Sequence, residues 1–181
     1  DAPSLMVLPD GRWAVFYSRH GGKDLYLCLS EKPEDLTAWG PRRRLPFEPD
    51  RNGLTYTNPV RLSAEGGRIY LFWRGLGFKP VFSTSDDQGG TWAPQKTLIT
   101  SSGARPYLKV ASNDKDTIHF AFTDGHPRNE AFNSIYYMTY KGGRFYKADG
   151  SPIAEAHDLP IECRRADVVY DRKTTGVRAW I

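Results

Sequence analysis

GRWAVFYSR (Gly11 to Arg19), GRIYLFWRG (Gly67 to Gly75) and DTIHFAFTD (Asp116 to Asp124) are three passages of one strand-like pattern, and GVRAWI (Gly176 to Ile181) has the opening of a fourth. A second strand-like run precedes each: PSLMVL, TNPVRLS, RPYLKVAS and ADVVYD. Tight turns such as Pro9-Asp10-Gly11 and Glu65-Gly66-Gly67 join the two. A loop and a second hairpin follow: LYLCLS leading to Thr37-Ala38-Trp39, PVFSTSDDQGGTW, and SIYYMTYKGGRFY. Each repeat therefore holds four strands and returns after roughly fifty residues, with strands apolar on both faces, which is the pattern of propeller blades around an axis. A sandwich does not require such similarity between repeats. The expectation is an all-β chain, residues 1–181, forming one β-propeller segment of four-stranded blades. The repeats fall at about 1–50, 51–103 and 104–160, with a partial one at 161–181, about three and a half blades. Propellers close with four to eight blades, so the remaining blades of a longer propeller are an expected partner.

Composition agrees. Aromatics make up 13% of the 181 residues, and 17 Gly and 13 Pro punctuate them, which favours short strands and turns. The best helix candidate, Glu31 to Trp39, holds Pro33 and ends at Gly40-Pro41, leaving room for one turn at most. With 25 Lys+Arg against 21 Asp+Glu the net charge is +4, and no apolar run is long enough to span a membrane as a helix. Arg42-Arg43-Arg44 stands alone without a basic stripe, so no nucleic-acid partner is expected. Cys28 and Cys163 are too few for a disulfide framework.

Two groups of residues stand out. Ser85-Asp86-Asp87-Gln88-Gly89-Gly90-Thr91-Trp92 places Ser85, Asp87, Gly89, Thr91 and Trp92 on the turn between the third and fourth strands of the second repeat. There Asp87 can accept from backbone amides across the turn, Gly89 permits a positive φ, and Trp92 packs between sheets. These are structural roles, and Ser30 to Trp39 is a decayed copy. The second group lies on the opposite rim, where strand-one entries and strand-two exits share a face. Tyr56, Tyr107 and Arg164-Arg165 sit at entries; Arg19-His20, Arg74 and Asp124-Gly125-His126 sit at exits. Their recurrence in the same phase marks that rim as the candidate site. His119, Tyr70, Tyr136 and Tyr137 fall within strands and read as packing.

The Ser85–Trp92 stretch fits the S-x-D-x-G-x-T-W Asp box of the BNR repeats in sialidase-like propellers. Together with YSRHGG, TYTNPVRLSAEGGRIYLFWRG, RPYLKVASN, FTDGHP and NSIYYMTYKGGRFY, the chain resembles, over nearly its whole length, the BNR-repeat propellers that include ulvan lyases. The resemblance implies a seven-bladed propeller that cleaves a uronate-containing anionic polysaccharide by β-elimination. It implies His20, Tyr56 and Arg74 as catalytic residues, with Tyr107, Arg19 and Arg165 lining the substrate. It also implies a structural zinc, for which His126, His157 and Cys163 are the available ligands, and no cofactor for catalysis. A further catalytic histidine is expected ahead of the first strand, outside this chain. Secretion or a periplasmic location follows from the same resemblance. A sialidase-type hydrolase would need a carboxylate pair or a Tyr–Glu pair on the rim, and a non-catalytic glycan- or protein-binding propeller is the third reading.

Overall fold

The computed structural model describes residues 2–181. Three antiparallel sheets follow one another along the chain. The first blade runs Ser4–Val7 (β1), Trp13–Ser18 (β2), Leu25–Leu29 (β3) and Arg43–Arg44 (β4), and the second runs Thr55–Leu62 (β5), Arg68–Arg74 (β6), Pro80–Ser85 (β7) and Lys96–Thr97 (β8); each is ordered 1-2-3-4. After Ile99–Thr100 (β9) comes the third, of Leu108–Ser112 (β10), Thr117–Thr123 (β11), Ile135–Lys141 (β12), Arg144–Tyr146 (β13) and Pro152–Glu155 (β14). Ile161–Glu162 (β15) pairs in parallel with β9, and Asp167–Tyr170 (β16) pairs with β12. This is the blade architecture of a β-propeller.

Burial follows from the position of each blade. In β2 it alternates, with Ala14, Phe16 and Ser18 buried, because only one face of this blade is covered. In β6 every residue from Ile69 to Arg74 is buried, because a neighbour covers each face. One core cluster lies between the first two blades, where Phe47 stacks on Trp73 at 4.4 Å between ring centroids. The other lies between the second and third, where Phe72 meets Phe120 at 5.3 Å. Each such fully buried aromatic contributes about 1.5–3 kcal/mol. Around the axis, Thr57 Oγ1 donates to the Phe16 carbonyl at 3.1 Å and meets Ser4 Oγ at 2.7 Å, tying β5 to the first blade.

The last segment is arranged differently from the repeats before it. Residues 161–181 do not open a separate fourth sheet: β13 covers only Thr139–Lys141 of β12, and β16 pairs with Ile135–Tyr137 on the edge left open. Beyond it lie a single helical turn at Arg172–Thr175 (α1) and an irregular stretch that contains Trp180. The Glu31–Trp39 segment forms turns and no helix, closed by a Ser30–Trp39 bridge.

The Asp box has the geometry its residues dictate. Asp87 accepts from Thr91 N (2.8 Å), Thr91 Oγ1 (2.7 Å) and Ser85 Oγ (2.8 Å), and Ser85 Oγ accepts from Gly89 N at 2.8 Å. Those bonds, led by the Thr91 amide, hold the Asp87 carboxyl down to about 2. Trp92 meets Phe16 and Phe47 edge-on at 6.1 and 5.7 Å, so the turn of the second blade is anchored in the core of the first.

Candidate active site

The sequence brings Tyr56 to the rim through a backbone irregularity. Register slips between Thr55 and Asn58, and inside this bulge Tyr56 takes φ +61°, an uncommon conformation for a side chain of its size. Asn58 Nδ2 donates to the Tyr56 carbonyl at 2.8 Å and fixes the turn. The ring is thereby swung under the guanidinium of Arg74, whose Cζ lies 4.8 Å from its centroid. Arg74 ends β6, and Phe78 on the following turn lies 5.7 Å from its Cζ and 4.1 Å from that of Arg105. His20 meets Tyr56 edge-on at 5.5 Å, and Tyr107 lies 5.9 Å from Tyr56.

His20, Tyr56, Arg74, Arg105 and Tyr107 line one cleft of about 380 Å³, together with His126, Arg128, Asn129 and Trp180. Arg74 is only 9% exposed, yet its Nε has no hydrogen-bond acceptor among the described residues. Burial, and to a lesser degree Arg105, lowers its pKa, while the Tyr56 and Tyr107 hydroxyls act the other way. Tyr56 is raised above the ordinary phenol value, chiefly by burial, with Arg74 opposing.

His126 is held in one tautomer. Its Nδ1 accepts from the Arg128 amide at 3.0 Å, so in the neutral ring the proton sits on Nε2 and is donated to Tyr107 Oη, also at 3.0 Å. Burial and then Arg74, Arg105 and Arg128 depress its pKa, which keeps the ring neutral. The loop that carries Arg105 is fastened from below: Lys79 Nζ donates to the carbonyls of Ser101 and Gly103, each at 2.7 Å, and Glu130 accepts from Ala104 N at 2.8 Å. Gly103 is required there, because a Cβ would stand 2.2 Å from the Asp124 carbonyl.

Of the residues expected from sequence, His20, Tyr56, Arg74 and Tyr107 converge on this cleft. Arg19 is exposed and does not line it. Arg165 lies on the turn Cys163–Arg165, with its guanidinium donating to the Ile153 carbonyl, and does not line it either. The expected zinc ligands do not meet. His126 is in the cleft with both ring nitrogens engaged, and His157 is 82% exposed beside Asp158. Cys163 is buried, its thiol donating to Glu162 and pushed up to about 12 by burial and that contact. No group of three metal-ligating side chains is found among the described residues. Arg105, Arg128 and Trp180 were not singled out by sequence reasoning, because they sit on loops that do not repeat.

A family model for BNR repeat-containing family members matches residues 1–179. The chain belongs to that family. Among solved structures it is similar to an ulvan lyase of polysaccharide lyase family PL25, at TM-score 0.68 and 19% identity over 91% of this chain and 43% of that one. The same enzyme bound to -[GlcA(1-4)Rha3S]- matches equally well. It is also similar to an exo-1,5-α-L-arabinanase from a bovine ruminal metagenomic library, at TM-score 0.56 and 16% identity over 94% of this chain and 59% of that one. The chain thus spans less than half of the ulvan lyase chain. No curated protein sequence matches it. No helix among the described residues is long and apolar enough to cross a membrane.

Proposed function

We propose that the chain carries the catalytic cleft of a polysaccharide lyase that cleaves a uronate-containing anionic glycan, of the ulvan type, by β-elimination. One observation carries the reading: Arg74 is a buried cation whose Nε is unsatisfied and which no carboxylate of the described chain neutralises. An uncompensated buried charge is costly to the fold unless a ligand supplies the counter-charge. A uronate carboxylate does so, and its neutralisation acidifies the adjacent C5 proton. In this reading His20, edge-on to Tyr56, takes that proton, and the Tyr56 hydroxyl, kept protonated by its raised pKa, gives its own proton to the leaving glycosidic oxygen, with Tyr107 beside it. No Asp or Glu is among the residues lining the cleft, which disfavours hydrolysis by paired carboxylates. A polymer of this kind is met outside the cytoplasm, so the proposal includes secretion or a periplasmic location.

The test follows ultraviolet absorbance while the protein is incubated with uronate polysaccharides, because elimination leaves a conjugated double bond. Absorbance should rise, and Tyr56→Phe should slow the rise by about 10²–10⁴-fold. Arg74→Ala should slow it by about 10²–10³-fold. New reducing ends without absorbance would replace the reading by hydrolysis. Glycan binding without either product would replace it by a binding propeller.

A further inference from the structure

At the opposite end of β6, roughly 20 Å of strand away from the cleft, the second and third blades part. The crevice between them encloses about 190 Å³. Its walls are the rings of Phe72, Phe82, Phe120 and Phe145, of which Phe72 and Phe120 are only 1% exposed. Facing them are the small side chains of Ser83, Ala93 and Ala156, and this shortage of volume keeps the space open. Apolar space of about 150 Å³ is enough to take up benzene. This crevice therefore admits one ring and a small substituent.

Its polar groups settle where a charge would go. Tyr70 Oη donates to Glu65 Oε2 at 2.6 Å, so the 2.8 Å contact between the Tyr70 and Tyr140 hydroxyls has Tyr140 as donor. Both hydroxyl protons are spent, and that wall has no donor left for an anion. Arg68, also on the lining, is committed to Asp86 and Glu65. Lys96 differs. It is opposite Phe82 in the β7–β8 register, which puts the two side chains on one face of the sheet, and its ammonium has no hydrogen bond or ion pair among the described residues.

We infer that this crevice is a second ligand site, for a small aromatic carboxylate whose ring enters between Phe82 and Phe145, above the contacting Phe72–Phe120 pair that forms its floor, and whose carboxylate pairs with Lys96 at the mouth. The site is independent of the cleft and of the reaction proposed there. Its test reads binding alone: NMR titration of the full chain with benzoate and, in parallel, with toluene as the neutral probe. Both should saturate and shift the ring signals of Phe72 and Phe120. Lys96→Glu replaces an exposed, unpartnered cation and leaves the fold intact. It should weaken benzoate about tenfold or more and leave toluene unchanged. Ala156→Phe fills the space and should abolish both. The inference is overturned if benzoate fails to saturate, if Lys96→Glu leaves its affinity unchanged, or if the shifts fall on Arg74 and Tyr107, which would mean that benzoate goes to the cleft.

Discussion

At Tyr56 a single backbone angle decides what the site can do. A tyrosine at φ +61° costs of order 1–3 kcal/mol, and the cost is met by the Asn58 bond and by the ring's packing against Arg74. What the strain secures is a phenol hydroxyl beside a buried guanidinium, which no regular strand position would provide. Electrostatics then sets the pH range. His126 is neutral over most of it because burial and three arginines depress its pKa below the ordinary 6.5. Only the neutral ring can accept the Arg128 amide at Nδ1 and so hold Nε2 on the Tyr107 hydroxyl, so activity that relies on this positioning is retained above the depressed value and lost as pH falls through it. Arg105→Gln removes one of the depressing charges without touching His126, so the acid limb of kcat/KM should move to higher pH, towards 6.5, with the alkaline limb unchanged. A pH–rate profile of the variant against the parent checks this, and an acid limb that stays in place would mean that His126 is not the group titrating. His20, Tyr56, Arg74 and Tyr107 were legible as site residues because each occupies the same phase of a repeat. Arg105 and Arg128 were not, since what brings them to the cleft is the loop fastening by Lys79 and Glu130, interactions of residues that are distant in sequence.

The Asp box shows how an element can be held by its turn. Asp87 is fully exposed, yet it gathers three donors, and its carboxyl is held down to about 2 against an ordinary 3.8. A carboxylate depressed in the fold contributes stability that is complete above 3.8 and is lost as pH falls from there to about 2. Asp87→Ala should therefore lower Tm by a few degrees at neutral pH and leave a flatter acid unfolding curve between pH 4 and 2. Gly89→Ala acts through shape: φ is +85° and a Cβ would sit 3.0 Å from Leu27 Cδ2 of the first blade, so it should cost about 1–3 kcal/mol at any pH. Thermal melts of the two variants across this pH range separate the mechanisms. This element was readable from its residue types alone, since the hydrogen bonds of Ser85, Asp87, Gly89 and Thr91 all close within the same turn. The pairing of the last repeat was not legible for the converse reason. ADVVYD has strand composition, but which strand it joins depends on how far β13 runs along β12.

Across the whole molecule, the middle blade explains why the repeat pattern was visible at all. Its second strand, β6, is apolar on both faces because blades flank it on both sides, whereas β2 and β11 alternate because one of their faces has no neighbour in the described chain. The same stacking brings the rims into line, so residues from three blades reach one cleft. Charge gathers there: Arg74 buried, and Arg105 and Arg128 exposed, on a chain whose net charge is only +4. The three arginines should respond differently to salt. The Debye length falls from about 10 Å at 0.1 M to about 3 Å at 1 M, and exposed charges lose most of their reach while buried ones are screened far less. For an anionic oligosaccharide, KM should therefore rise several-fold between about 0.05 and 0.5 M salt. The turnover number should change little, because the proposed partner of the uronate, Arg74, is buried. Replacing Arg105 and Arg128 together by Gln should flatten the salt dependence of KM, and a neutral glycan should show none. Kinetics at the two salt concentrations decide the point: a turnover number that falls in parallel with affinity would mean that the charge acting in the transition state is one of the exposed arginines and not Arg74.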